Sequence, residues 1–435
     1  MKVDLSKIKK VFFIGIGGIG ISALAKMALS RGMEVSGVND EESPKTLEPL
    51  KANGAKIFFD EKKQNSAQDY PAPQRHHSHS FASFHLPEAD LYVYSDAWLY
   101  RGPEIIDLAK KSGKPVMSYF ETLGMIAKDY KVIAISGTHG KTTTTAMVAE
   151  ILIEAGLDPT VVVGSFVKSF KSNFRAGKGK YLVVEADEYN RHFLNFQPFI
   201  GAVTNIEADH LDYYKDLSDI EQAFRQFLAA SEHKVSDYEK YLSKVPKLSV
   251  PGLHNRKNAA VALAVAEVLG INPGISKKAL SNFSGTWRRL EKRGETKEGV
   301  IIYDDYAHHP TEIRASLEAL REVYPGGKLV VVFQPHLYSR TKALFTEFSK
   351  SFGLADSLIM LPIYFAREEQ DESVSSYKLA QAIRLQGLDA EAMPDFEAAE
   401  AYVRSLNLVK GDIFITMGAG EAYKVADRVF PHTFA

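Results

Sequence analysis

The stretch Ile133-Ala-Ile-Ser-Gly-Thr-His-Gly-Lys-Thr-Thr-Thr-Thr145 constrains this chain more than any other. An apolar run from Tyr130 to Ile135 passes through a glycine turn into a segment, Thr142 to Gly156, in which Met147, Ile151 and Leu152 recur at helical spacing. A strand, a tight turn and a helix N-terminus leave several backbone N–H groups aimed at one spot, where the helix dipole adds partial positive charge. That spot suits a polyphosphate. Lys141 reaches the outer phosphates as a point charge, and the Thr142 hydroxyl can join the shell of a bridging Mg²⁺. Ile135 stands where the common phosphate-loop pattern has its first glycine, so this is the shorter Gly-Thr-x-Gly-Lys-Thr form. The plain alternative, a glycine turn before a core helix, leaves a lysine followed by four threonines unexplained.

A second glycine turn lies near the N-terminus. Val11 to Ile16 is a buried-strand run, followed by Gly15-Ile-Gly-Gly-Ile-Gly20, a helical pattern through Leu24, Met27 and Ala28, and a strand, Val35 to Val38, that ends at Asp40. This spacing presents a helix N-terminus to a pyrophosphate, whether of a nicotinamide or flavin cofactor or of another nucleotide. Alternating strand and helix patterns continue through Asp90 to Tyr94, Gly102 to Lys111 and Val116-Met117, which predicts a parallel sheet with helices on both faces. Asp69 to Ser83 holds His76, His77 and His79 among prolines and polar residues, and reads as a loop rather than a metal site.

Beyond the phosphate loop, Tyr181 to Val184 delivers Glu185-Ala-Asp-Glu188, and Phe199 to Thr204 delivers Asn205-Ile-Glu-Ala-Asp-His-Leu-Asp212. Ligands of open parallel sheets collect outside the carboxyl ends of strands, so these clusters converge on the loop, where a carboxylate and a neutral imidazole fit Mg²⁺ beside the Thr142 hydroxyl. Taken singly, the acids are also ordinary loop charges or helix caps. A helix runs over Asp216 to Leu228, and Ala229 to Val250 is polar and poorly patterned. His254, Asn255 and Asn258 open the next helix and can either hydrogen-bond a base edge or cap it. A third unit sets strands at Val300 to Tyr303, Leu329 to Phe333, Ser357 to Leu361 and Asp412 to Thr416 between helices at Thr311 to Val323, Lys342 to Gly353, Val374 to Arg384 and Phe396 to Ser405. Its strand ends carry Asp304-Asp-Tyr-Ala-His-His-Pro-Thr-Glu312, Gln334-Pro-His-Leu-Tyr-Ser-Arg340 and Met417-Gly-Ala-Gly-Glu421.

The 435 residues predict an α/β protein of three domains: a Rossmann-like domain at 1–127, a central phosphate-loop ATPase-like parallel sheet at 128–285 and a second Rossmann-like domain at 286–435. A formal net charge of −1 provides no global basic field for nucleic acid. The absence of cysteine excludes disulfides, thiolate nucleophiles and cysteine-ligated zinc. No apolar run approaches the roughly 18 residues of a membrane span, and the N-terminus lacks a signal-peptide core, so the expectation is a cytoplasmic protein without membrane association.

Together these motifs, in this order along nearly the whole chain, resemble the Mur ligases, which add amino acids to the UDP-muramyl precursor of the bacterial cell wall. His139 in Thr-His-Gly-Lys and the phrase His308-His-Pro-Thr-Glu312 are similar to the branch that adds L-alanine to UDP-N-acetylmuramate and to its relative that recycles murein tripeptide. Gln334 to Thr341 looks like the alanine-adding branch, and Arg288-Arg-Leu-Glu291 has some of the recycling one.

The resemblance implies two substrates, UDP-N-acetylmuramate and L-alanine, with ATP and Mg²⁺ as cofactors, in a monomer or homodimer. It assigns UDP-substrate binding to Gly15, Gly17, Gly18, Ile19, Gly20, Asp40 and Ser95. ATP binding falls to Gly137, Thr138, His139, Gly140, Lys141, Thr142 and Thr143, with His254, Asn255, Asn258 and Asp305. Thr142, Glu185 and His210 hold the metal, and Tyr306, His308 and Arg340 hold the amino acid. Lys141, Glu185, His210, His308 and Arg340 form the catalytic group. Two features depart from the family: Leu337 stands where some members carry arginine, and the segment before His254 is short. Rival readings are an NAD-dependent oxidoreductase and a non-catalytic nucleotide-binding protein.

Overall fold

The computed structural model describes residues 3–59, 84–211, 213–365 and 368–433. The histidine-bearing segment 69–83 and Asp212 lie outside the described residues. Three sheets form, each built around apolar strands.

The first sheet comprises β1 (Lys10–Ile14), β2 (Glu34–Asn39), β3 (Lys56–Phe59), β4 (Leu91–Tyr94) and β5 (Val116–Ser118), ordered β3-β2-β1-β4-β5 and parallel throughout. The chain steps outward one way from β1 and then resumes on its other side at β4. The crevice where strand order reverses therefore opens at the end of β1, where Gly15 to Gly18 lead into the helix Ile19–Ser30.

The second sheet contains β6 (Lys131–Ser136), β7 (Thr160–Val167), β8 (Ser172–Arg175), β9 (Tyr181–Glu185), β10 (Ile200–Val203) and β11 (His233–Val235), ordered β11-β10-β6-β9-β7-β8. The β7–β8 pair is antiparallel, whereas β6–β9, β7–β9 and β10–β11 are parallel. Strand β6 is central and buried from Val132 to Ser136, as a run of Val, Ile and Ala demands when helices cover both faces. The poorly patterned stretch 229–250 supplies β11 and a 3₁₀ turn, Glu239–Lys244. An edge strand with two of three residues exposed has no apolar alternation to announce it.

The third sheet has β12 (Glu291–Glu295), β13 (Ile301–Asp305), β14 (Leu329–Phe333), β15 (Ser357–Met360), β16 (Asp389–Ala392) and β17 (Ile413–Met417), ordered β12-β13-β17-β14-β15-β16. Its one antiparallel pair is β12–β13. The helix expected over Lys342 to Gly353 breaks into Tyr338–Ala343 and Phe345–Ser349, because Leu344 takes a non-helical φ of −110°. The second piece and the residues after it deliver Phe348 and Phe352 to the core beneath Phe333.

The chain folds into two compact units. One holds 1–136, 152–202 and 223–235; the other holds 137–151, 203–222 and 236–435. The second unit is fastened at its centre by Arg288, 4% exposed and at φ +55°. Its guanidinium donates to Asp304 at 2.8 Å, to the Gly418 carbonyl at 2.7 Å and to the Gly420 carbonyl at 2.9 Å. Arg288 thus ties the start of β12 to β13 and to the glycine turn after β17, which gives the Arg-Arg-Leu-Glu motif a structural reason. Arg288→Met is expected to strand the buried Asp304 carboxylate and to cost about 3–5 kcal/mol of stability, read as a lower urea midpoint at unchanged slope.

Candidate active site

The phosphate loop takes its shape from glycines that no other residue can replace. Gly137 sits at φ +131°, with the Thr204 hydroxyl where a Cβ would stand, and Gly140 sits at φ +81° against the Asn258 side chain. The segment after β10 grips the loop. Asn205 accepts the Thr138 N–H on its carbonyl and the His139 N–H on Oδ1, both at 3.0 Å, and its Nδ2 returns a bond to the His139 carbonyl. The Glu207 N–H donates to Thr138 Oγ1 at 2.9 Å. Lys141 opens the helix Lys141–Glu154 and folds back so that Nζ donates to the Gly137 carbonyl at 2.7 Å and the Thr138 carbonyl at 3.1 Å. Its ammonium is thereby held over the turn. Thr142 is buried, and its hydroxyl accepts from Arg289 at 3.2 Å.

His139 extends this network. Its Nδ1 lies 3.0 Å from Glu312 Oε1 and its Nε2 3.6 Å from Glu207 Oε2. Burial works against a charge on this ring, but Glu312 and Glu207 overcome it and raise its pKa to about 9. The adjacent His139 ring, followed by the Thr311 hydroxyl, in turn pulls Glu207 down to about 2. His309 caps the helix Pro310–Val323 by accepting the Thr311 N–H on Nδ1, so its buried Nε2 carries the hydrogen. His139, Glu207 and His309 bring three potential ligand atoms within 4.8 Å of one another. A metal there would have to displace the proton that Glu312 and Glu207 favour on His139. Glu207, His309 and Glu312 were not among the expected site residues, although each lies in a stretch the sequence singles out; their contacts with His139, which is distant in sequence, appear only in the fold.

A cavity of about 340 Å³, of small-ligand size, opens beside the loop. His139, Gly140, Thr142 and Thr143 form one wall; His254, Asn255, Asn258 and Asp305 contribute to the others. Asn255 directs its amide to the Pro251 carbonyl at 2.7 Å, a local cap. Burial pushes His254 down to about 4 and Asp305 up to about 6, and the Asp305 carboxylate accepts from the Ser316 hydroxyl.

A smaller cavity, about 140 Å³, is lined by Asp209, His210, Leu337 and Arg340. Arg340 donates through Nε and Nη2 to Asp209 Oδ1 at 3.3 and 3.2 Å, and its Nη1 lies 3.3 Å from His336 Nδ1. Burial resists ionisation of Asp209, yet Arg340 leads the charges that hold its pKa well below the usual range. His210 adopts φ +55° with Nε2 3.8 Å from Asp209. His308 has Nδ1 2.9 Å from the Tyr306 carbonyl; a carbonyl only accepts, so Nδ1 bears the proton and Nε2 a lone pair. Burial depresses its pKa to about 4, which keeps the ring neutral.

The remaining expected residues belong to the other compact unit. Gly15 takes φ +82° under the Trp98 indole. The Gly17 N–H donates to Asn39 Oδ1 at 3.0 Å, so the side chain that supports this turn is Asn39, one residue before the expected Asp40. Asp40 pairs with Arg101 at 3.1 Å. Ser95 ends β4 with its N–H on the Ile14 carbonyl, and Glu185 ends β9 with Oε2 accepting the Gly164 N–H at 2.7 Å.

Comparison with known proteins covers almost the whole chain. Residues 10–131 match the Mur ligase family catalytic domain, 135–242 the Mur ligase middle domain, and 288–420 the Mur ligase glutamate ligase domain. The UDP-N-acetylmuramate–L-alanine ligase of Caldanaerobacter subterraneus subsp. tengcongensis is 37% identical, and that of Clostridium acetobutylicum 38%, each over 98% of both chains. The crystal structure of UDP-N-acetylmuramate–alanine ligase from Thermotoga maritima superposes with a TM-score of 0.78 at 27% identity, over 97% of this chain and 98% of that one. A murein peptide ligase from Psychrobacter arcticus shares the fold at a TM-score of 0.66 and 21% identity, over 97% and 98%. Three successive domain matches and end-to-end identity above a third place the chain in the Mur ligase family.

Proposed function

We propose that this protein joins L-alanine to the lactyl carboxylate of UDP-N-acetylmuramate, driven by ATP, in peptidoglycan precursor synthesis. One observation carries the reading: the phosphate loop, the His254 to Asn258 helix start and Asp305 surround a single cavity, in a chain aligned end to end with ligases of that name. The relatives' names and the stronger structural likeness favour it over recycling of murein tripeptide. Against an oxidoreductase, the same alignment accounts for Lys141 and the acidic strand ends.

In the first step a carboxylate oxygen attacks the γ-phosphorus, ADP departs and an acyl phosphate forms. The alanine amine then adds to the acyl carbon; the tetrahedral intermediate collapses with cleavage of the C–O bond, releasing inorganic phosphate. The His308 Nε2 lone pair takes the proton that the amine loses. Lys141, held over the loop, meets negative charge on the transferring phosphoryl group. Arg340 receives the alanine carboxylate, with Tyr306 beside it, and Asn258 and Asp305 meet adenine and ribose. The glycine turn receives the diphosphate of UDP.

By donor type, Mg²⁺ would be held by Thr142, a hydroxyl in the first turn of the loop helix, Glu185, a carboxylate at a strand end, and the His210 imidazole. When bound, it screens charge on the phosphate oxygens. We place the domain boundaries at 127/128 and 285/286, supported by family matches that end at 131 and begin again at 135 and 288. Among the described residues no helix is long and apolar enough to cross a membrane; we propose a cytoplasmic enzyme. The alignment runs over 478 positions, more than the 435 residues here, so the relative carries residues that this chain lacks. That accords with a shortened segment before His254.

The direct test is phosphate release from ATP that requires both UDP-N-acetylmuramate and an amino acid, compared over L-alanine, glycine, L-serine and murein tripeptide. Release without a need for the muramyl substrate would sink the reading. Lys141→Ala is expected to lower turnover at least about a hundredfold while UDP-N-acetylmuramate affinity, measured by calorimetry, holds. Arg340→Ala is expected to raise the alanine KM roughly 30- to 150-fold, the loss of about 2–3 kcal/mol from a charge-assisted contact, with the ATP KM little changed. If Arg340 serves only to neutralise Asp209, the variant will instead lose stability and weaken all substrates alike.

A further inference from the structure

We propose that His192 is a positioning residue for the UDP-linked substrate: a buried imidazolium that fastens the end of β4 to the end of β9 and offsets half the charge of two carboxylates beside the glycine turn. This rests on the reading that the turn binds a UDP substrate. No sequence motif marks His192, and the ligation chemistry does not use it.

The backbone goes out of its way to place this ring. Asn190 and Arg191, consecutive residues without a glycine between them, take φ +52° and +56°, a left-handed conformation that costs each about 1 kcal/mol or more. They turn His192 inward, where it is 8% exposed and stacks on Phe120 at 3.8 Å between ring centres. Its Nε2 lies 2.9 Å from Asp96 Oδ2 and its Nδ1 3.3 Å from Asp187 Oδ2. Ionised carboxylates only accept, so a ring bonded to one at each nitrogen carries both protons. Burial opposes that charge, and hydrogen bonds to Asp187 and Asp96 outweigh it, raising the pKa to about 9.

The three partners come from places that matter for substrate. Asp96 directly follows Ser95, whose N–H is bonded to the Ile14 carbonyl next to the glycine turn. Asp187 stands two residues after Glu185 at the end of β9. Phe120 follows Tyr119, whose ring closes on Gly20 in the first turn of the helix Ile19–Ser30. Asp96 and Asp187 keep side-chain exposures of 28% and 32%, so without a counter-charge both would face an incoming diphosphate and carboxylate. At an effective dielectric near 20, an uncompensated like charge about 8–12 Å from the ligand's charge weakens binding by roughly ten- to thirtyfold.

His192→Gln keeps the volume and a hydrogen-bond donor but removes the charge. It is expected to raise the KM for UDP-N-acetylmuramate roughly ten- to thirtyfold while those for ATP and L-alanine stay within about twofold. Adding Asp96→Asn to that variant should recover most of the loss, which a purely structural role would not allow. Affinity for UDP alone, by calorimetry on wild type and both variants, reads the same effect without turnover. A wild type that binds UDP but does not turn over would fail the ligase reading and leave the affinities to decide this one. An unchanged UDP affinity and KM in His192→Gln, no recovery with Asp96→Asn, or a wild type that does not bind UDP would each overturn the proposal.

Discussion

Two helix N-termini, each set at the end of a buried parallel strand, govern the arrangement of this molecule. Peptide N–H groups that cannot bond within their helix converge there with the positive end of the dipole, and an anion satisfies both. To present them, the chain must turn sharply with side chains out of the way, which is why Gly15, Gly137 and Gly140 occupy positive φ against close neighbours. The rest of each site is held in relation to these turns, by Asn205 and Thr204 on the phosphate loop and by Asn39 on the N-terminal turn.

Buried charge is the second organising element. Arg288 with Asp304, Arg340 with Asp209, and His139 with Glu312 and Glu207 all remove ions from water, and such pairs contribute little net stability against well-packed apolar residues. Their value lies in geometry, because breaking any one leaves an uncompensated ion. Arg288 spends its donors on structure alone, on a carboxylate and two turn carbonyls. Arg340 and His139 line cavities, so the interactions that hold them also set their charge before any ligand arrives.

The sequence was legible wherever a site lies within one strand-turn-helix unit. The two glycine turns and the strands that lead into them could be read because glycine spacing and apolar runs are local signals. Reading failed where a partner comes from afar. Asp40 carries the expected spacing, yet Asn39 meets Gly17; a shift of one residue along a strand exchanges inward and outward side chains. The break at Leu344, at φ −110°, interrupts a continuous helical pattern that carries no local signal for it.

What the sequence by itself determined is the class of architecture and the family likeness, since these follow from residue types at short, fixed spacing. Only the tertiary structure decided the protonation and partners of the histidines. His139, His192, His254 and His308 are the same residue to a reader of sequence, yet carboxylates at both nitrogens lift the first two to about 9 and burial drops the latter two to about 4. A pKa reports the solvation and charges around a group, and those are set by elements tens to hundreds of residues away in the chain.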